Sequence, residues 1–225
     1  MVGITSYGAY LPWYRMEKKT VAKQMAWFAK GNTKGEKAVV NHDEDVITMA
    51  YAACADCLNG NQRTEIDAVY MASMSFPFVN RQNAGVVASA LNLSDGVRSA
   101  DFSAALKCGT TALLAGMEGV ASQSLRSALV CAGESRAPKP GSPGEYSYGD
   151  GAVAFQIGSE KVIASLVGSY SSSHDFLDSR KMANERFDHA WEDRWIREES
   201  VLKFFPDAIN GVMQKTGIEK SMSST

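Results

Sequence analysis

Asp101-Phe102-Ser103-Ala104-Ala105-Leu106-Lys107-Cys108-Gly109-Thr110 joins two unlike patterns. The run from Arg98 to Ala104 reads as a strand, whereas Gly109 to Ser122, rich in Ala, Leu and Gly, reads as a buried helix. The same alternation extends in both directions. Upstream, Asp67 to Ser73 reads as a buried strand and Asn83 to Leu91 as a helix; downstream, Ser127 to Ala132 and Ala152 to Ile157 read as two further strands. Strands separated by helices of this length imply an α/β protein whose mostly parallel sheet is covered on both faces. The last two strands are joined by a Pro- and Gly-rich loop, Ala137 to Gly144, and need not be parallel.

Nearer the N-terminus, Gly3 to Leu11 reads as a strand that stops at Pro12, and Lys19 to Phe28 has helical spacing. Gly31 to Val40 is polar and reads as irregular. Asp43, Glu44 and Asp45 precede Val46, Met49, Ala50 and Ala53 at helical spacing, and acids at a helix start complement its dipole. From Ser169 the composition turns charged and aromatic, with Trp191, Trp195, Phe204 and Phe205 among acids and bases and helical spacing from Ser200 to Lys215. Residues 1–168 are therefore expected to form one unit and residues 169–225 a helical extension packing on it, with a frayed Ser221 to Thr225 tail.

Bulk properties narrow the function. The 225 residues are 45% hydrophobic and 21% charged, an ordinary globular composition. A net charge of -2 and a pI near 6.0 supply no positive field to hold nucleic acid or an anionic membrane, so neither partner is expected. No apolar run approaches the roughly 18 residues of a membrane span. Met1 to Tyr10 lacks the charged start of a signal peptide, and four cysteines are too few for a disulfide scaffold. A cytosolic protein with reduced thiols is expected.

Four segments carry a resemblance. Gly149-Asp150-Gly151-Ala152-Val153-Ala154 resembles the Gly-Asp-Gly-Ala turn before the last strand of the first half in type III ketoacyl synthases, chalcone synthases and hydroxymethylglutaryl-CoA synthases. Gly3 to Pro12 is similar to the first strand of the same thiolase superfamily. Asp101 to Thr110 resembles the turn that bears their nucleophile, and its Lys-x-Gly-Thr ending points to the hydroxymethylglutaryl-CoA synthase branch, as does His174-Asp175-Phe176 with Arg180. The resemblance implies a thiolase-like fold: one β-α-β-α-β-α-β-β half with a mixed five-stranded sheet covered by helices, followed by a second half that would carry a histidine and much of the CoA tunnel. It implies acyl-CoA as substrate, no permanently bound cofactor or metal, and a homodimer or a hetero-assembly with a thiolase-type subunit or the second half.

Within this frame the chemistry turns on three residues. A thiolate at the start of a buried helix is the expected nucleophile, because the helix N-terminus lowers the thiol pKa. Aligned without gaps, the family's nucleophile falls on Leu106; the nearest thiol is Cys108, two residues on, a rotation of about 200° on a helix. Cys108 is the candidate catalytic residue, with a small buried hydrophobe as its other reading. The family's acid-base glutamate falls on Met74 in Ala72-Ser73-Met74-Ser75-Phe76-Pro77-Phe78, and methionine transfers no proton.

Other candidates have simpler readings. Cys54 and Cys57 form a Cys-x-x-Cys inside a helical pattern with no second pair, which favours packing over redox or zinc chemistry. His42, His174 and His189 are dispersed, although His174 sits in the family segment where it could line the acyl pocket. Asp43-Glu44-Asp45 reads as a solvated helix start and Asp150 as a brace in a tight turn. Trp191-Glu192-Asp193-Arg194-Trp195 reads as core or interface before a stacking surface for adenine.

Two functions follow as expectations. One is an acyltransferase performing a Claisen-like condensation through a cysteine-bound acyl group, incomplete in this chain alone. The other is a non-catalytic scaffold of the same fold that holds a thiolase or an acyl-CoA-binding partner.

Overall fold

A computed structural model describes residues 1–25, 34–59, 63–182 and 184–219. It divides into two compact units, Met1–Ser165 and Leu166–Thr225.

The first unit is built on strands β1 (Gly3–Tyr10), β2 (Tyr14–Glu17), β3 (Glu36–Val39), β4 (Ala68–Ala72), β5 (Arg98–Phe102), β6 (Ala128–Glu134), β7 (Gly151–Gly158) and β8 (Ala164–Ser165). Between them run helices α1 (Lys18–Met25), α2 (Val46–Cys57), α3 (Asn83–Ala90), α4 (Cys108–Ala121) and the short α5 (Gly144–Ser147). Six strands form one sheet in the order β5-β4-β6-β7-β1-β8. Central β4 is parallel to β5 and β6, and β7 runs antiparallel to both β6 and β1. The sheet is thus mixed, with one more strand than the five expected, because the two-residue β8 adds to the free edge of β1.

Alternation along β4 and β6 explains why both read as unbroken apolar runs. Val69, Met71, Leu129 and Cys131 face α2 and α3, while Ala68, Ala72, Ala128 and Val130 face α4, so each strand is buried on both sides. α2 approaches β1 so closely that a methyl added to Gly8 would lie 2.3 Å from both the Ala53 carbonyl oxygen and the Cys57 amide nitrogen. α2 starts where the acids predict. Asp45 Oδ1 accepts the N–H groups of Ile47 and Thr48 at 2.9 and 2.8 Å, and Thr48 Oγ1 accepts from Asp45 N at 2.8 Å, a reciprocal cap.

One local reading is corrected. The segment read as irregular from Gly31 to Val40 contains β3, which pairs antiparallel with β2 from Tyr14↔Val39 to Glu17↔Glu36. Its four residues include Glu36 and Lys37, too few and too polar to show a buried strand's pattern. The helix expected from Lys19 to Phe28 is α1 as far as Met25, and its remainder lies outside the described residues.

In the second unit β9 (Ser179–Arg180) pairs with β10 (His189–Ala190). α6 (Asp193–Ile196) runs through a π-helical turn, Arg197–Val201, into α7 (Leu202–Thr216). The helix thus begins seven residues before Ser200, where Glu192 caps it by accepting from Arg194 N at 3.0 Å and Trp195 N at 2.9 Å. It ends at Gly217, whose φ of 69° is the left-handed conformation that closes helices. His174 stacks on Phe204 at 4.0 Å and Phe176 on Trp195 at 4.4 Å, while no side chain from Asp193 to Thr216 is fully buried. The Ser221 to Thr225 tail lies outside the described residues. No described helix is long and apolar enough to cross a membrane.

Candidate functional site

The site forms where β4, β5 and β6 end, the edge of an α/β sheet at which loops converge. Ser73 N donates to Phe102 O at 3.1 Å and Ser103 Oγ donates to Ser73 O at 2.7 Å, so the exits of β4 and β5 are tied together. Between β5 and α4 the chain makes a tight elbow, and Ala104 takes a φ of 65°, unusual for a residue with a Cβ.

Leu106 and Cys108 fall on opposite sides of that elbow. Leu106 lies in the turn ahead of the helix and is 60% exposed. Cys108 is the first residue of α4 and only 6% exposed, in a cluster that includes Ala72, Ala112 and Met117 and against which Met74 packs. Its position is the one a helix-activated thiol requires. Burial nevertheless pushes the thiol pKa up, the negative charge of Glu134 pushes it further, and the Gly109 amide only partly offsets them. A buried neutral thiol is the resting state.

Glu134, at the end of β6, is a site residue that sequence reasoning missed. Its Oε1 accepts the backbone N–H of Met74 at 2.6 Å and its Oε2 accepts the Ser75 hydroxyl at 2.9 Å. Ser75 Oγ in turn accepts from Ser135 N at 3.0 Å. The available signal was a lone acid closing the apolar run Ala128 to Gly133, but a strand read to end at Ala132 leaves it in the loop.

Glu134 opens onto a cleft of about 760 Å³, lined also by Ala132, Asp150, Val153, Leu11 and Arg15. Ala132, which lines this cleft, also packs against α4: a methyl on Gly109 in the first turn of that helix would stand 3.8 Å from Ala132 Cβ. Asp150 acts as a brace. Its Oδ2 accepts from Val40 N at 2.8 Å and its own N–H donates to Ala38 O at 3.1 Å, clamping the β2-β3 ribbon against the start of β7. Burial raises the Asp150 pKa, with Val40 N–H and Lys37 opposing.

The remaining candidates lie elsewhere. Cys54 and Cys57 are buried on α2, and the Cys54 thiol hydrogen-bonds with Cys131 of β6, a partner the Cys-x-x-Cys spacing does not reveal. Glu44 accepts from Asn41 N at 2.7 Å and from the Tyr10 hydroxyl. His42 is hydrogen-bonded to its neighbour Asn41, and His189 Nε2 lies 3.3 Å from Glu185. His174 is held in the aromatic stack of the second unit. Among the described residues no three His, Cys, Asp or Glu side chains form a group that could hold a metal.

A mixed sheet ordered β5-β4-β6-β7-β1, with an elbow feeding a buried helix beside a cleft at the strand ends, defines a thiolase-type fold. The chain superimposes on hydroxymethylglutaryl-CoA synthase complexed with CoA with a TM-score of 0.85 at 19% identity, over 97% of this chain and 57% of that one. On 3-oxoacyl-(acyl carrier protein) synthase III from Pseudomonas aeruginosa the TM-score is 0.80 at 20% identity, over 96% and 71%. At these identities the likeness concerns the fold. In sequence the chain is 32% identical over 226 residues to hydroxymethylglutaryl-CoA synthase of Methanocaldococcus jannaschii, a match taking in 96% of this chain and 64% of the relative. No protein-family model matches it. The fold is thiolase-like and the sequence is similar to that of hydroxymethylglutaryl-CoA synthases; the chain spans 64% of the length of that relative.

Proposed function

We propose that the chain is the acyl-CoA-handling part of a cytosolic acyltransferase that performs a Claisen-like condensation of acyl thioesters, and that a second thiolase-like half or a partner subunit completes it. The cleft at the strand ends carries this reading. It is lined by a carboxylate, Glu134, and an open apolar wall of Ala132, Val153 and Leu11, and Glu134 lies close enough to Cys108, the first residue of α4, for its charge to act on the thiol. The Cys108 thiolate would attack the thioester carbon of acyl-CoA and expel CoA thiolate, and the enolate of a second acyl-CoA would attack the acyl-cysteine, forming the C–C bond as the Cys108 thiolate leaves. Cys108 is buried and its thiol is raised, so acylation requires the elbow to open or a partner to reset it. The chain would act as a homodimer or in a hetero-assembly with a thiolase-type subunit or the second half. Acyl-CoA would be a substrate, and no permanently bound cofactor is proposed.

Incubation with radiolabelled acetyl-CoA, followed by peptide mapping, tests the reading: label on Cys108 is expected. A folded, CoA-binding preparation that never takes label on Cys108 would instead leave the scaffold function. That second reading is favoured by one observation, the thiol-free Leu106 standing 60% exposed where the family carries its nucleophile.

A further inference from the structure

Carbon-carbon bond formation next to a thioester begins with removal of an α-proton, and this step needs a base within hydrogen-bond reach of the acyl group. Among the described residues, four ionisable side chains line the cleft: Arg15, Glu36, Glu134 and Asp150. Arg15 is a cation, and Glu36 lies 3.9 Å from it on the ribbon. Asp150 is committed to Val40 N and to holding that ribbon. Glu134 is different. Met74 N–H and the Ser75 hydroxyl fix its carboxylate from the β4 exit, one bond to each oxygen, and each oxygen keeps a further lone pair for a substrate C–H or O–H. It also stands close enough to Cys108 for its charge to act on the thiol.

We infer that Glu134 is the acid-base residue of this cleft and that it exchanges the α-protons of a bound acyl-CoA with solvent, independently of any acyl-cysteine. The inference rests on the proposed acyl-CoA-handling function and deepens it. In the step, the Cα–H bond of the thioester breaks and its proton forms an O–H bond on a Glu134 carboxylate oxygen. The electron pair moves into the Cα–C bond as the thioester carbonyl becomes an enolate oxygen. Reversal in D2O returns a deuteron, so each cycle replaces H by D with no other reactant. Met74 contributes its backbone donor: the side chain at that position carries no proton, yet its N–H aims the carboxylate that does.

The test follows the acetyl methyl signal of acetyl-CoA by proton NMR in D2O with the full chain present, while saturation transfer to the adenine protons reports binding. The chain is expected to deuterate the methyl group faster than buffer alone. Glu134→Gln should slow exchange about a hundredfold or more while adenine saturation is retained. Adding Met74→Glu to that variant should restore part of the rate by returning a carboxylate to the same corner. Glu134→Asp keeps the charge and serves as the second variant if the amide fails to fold; its shorter reach should also slow exchange. Wild-type exchange that Glu134→Gln leaves unchanged, or bound acetyl-CoA with no exchange, overturns the inference and leaves the acyl-CoA-binding function standing. Absence of adenine saturation overturns both.

Discussion

Asp101, one residue before the end of β5, accepts the backbone N–H groups of Asn83 and Ala84 at 2.7 Å each and the Asn83 side-chain amide at 2.9 Å. One carboxylate thereby satisfies two of the donors that open α3, a helix whose own N-cap, Gln82, turns its side chain to Ser99 and caps nothing. The same Asp101 precedes the elbow, so the helix start and the elbow share one anchor. Asn83 is itself buried and spends its amide on Phe78 O at 3.1 Å and Arg81 O at 3.3 Å, which fixes the loop after Met74.

Asp101→Ala should therefore cost about 3 kcal/mol, because it strips a charged acceptor from three donors and leaves buried N–H groups unpaired. Asp101→Asn keeps one acceptor oxygen and should lose about half as much. Urea denaturation followed by circular dichroism measures both. A loss under about 0.5 kcal/mol for the alanine variant would show that water replaces the carboxylate and that the anchor is dispensable.

At Gly8, α2 packs directly against the backbone of β1. A methyl there meets backbone atoms of Ala53 and Cys57, and backbone cannot rotate away as a side chain can. Gly8→Ala should destabilise the first unit by about 3 kcal/mol, at the upper end of overpacking effects, and lower its melting temperature accordingly. An unchanged melting temperature would mean that β1 shifts along α2 at little cost.

How far the residues alone reveal this molecule depends on length and burial. β4, β6 and α4 were legible because each buries a long apolar face, and α2 because Asp45 and Thr48 make a local cap. The β2-β3 ribbon was not, since its strands are four residues each and mostly exposed or half-buried. At the site, Leu106 and Met74 could be placed by likeness, because backbone position follows sequence alignment. Glu134 could not. Its role comes from pairing β6 with β4 in parallel, Ala132 beside Ala72, which brings residues 60 apart in sequence into hydrogen-bond contact. The Cys54 to Cys131 contact is hidden for the same reason: the thiols sit on different elements, and only the Cys54 to Cys57 spacing is visible in one dimension.

The buried thiols predict an alkaline limit to stability. The hydrogen bond to Cys131 and then burial raise Cys54, and burial raises Cys57 and Cys108, all from an ordinary value of 9.0. In the unfolded chain these thiols release protons near pH 9.0, whereas the folded chain retains them. The raised folded values thus add stability that is complete below that pH and is lost as pH rises through the folded values. Each thiol should steepen the decline by up to about 1.4 kcal/mol per pH unit. Urea midpoints taken at pH 7.5, 9 and 10 should fall progressively, and Cys54→Ala should flatten the slope. Equal midpoints from pH 8 to pH 10 would show that the thiols ionise in place.

Leu106→Cys places a thiol in the turn itself. The native side chain there is 60% exposed, so the substitution removes little packing and the fold should hold to within about 0.5 kcal/mol. An exposed thiol is spared the burial that shields Cys108 and raises its pKa, so it ionises more readily at neutral pH. Iodoacetamide at pH 7.5 should therefore modify position 106 at least about tenfold faster than Cys108, by peptide mass spectrometry. With acetyl-CoA in place of iodoacetamide, acetyl transfer to position 106 but not to Cys108 would mean that the cleft delivers the thioester to the outer side of the elbow. Covalent transfer at the outer side of the elbow would then depend on the single side chain at position 106. If Cys108 is labelled first in both assays, the elbow opens toward α4, and the buried position of that thiol is a gate that the acyl group passes.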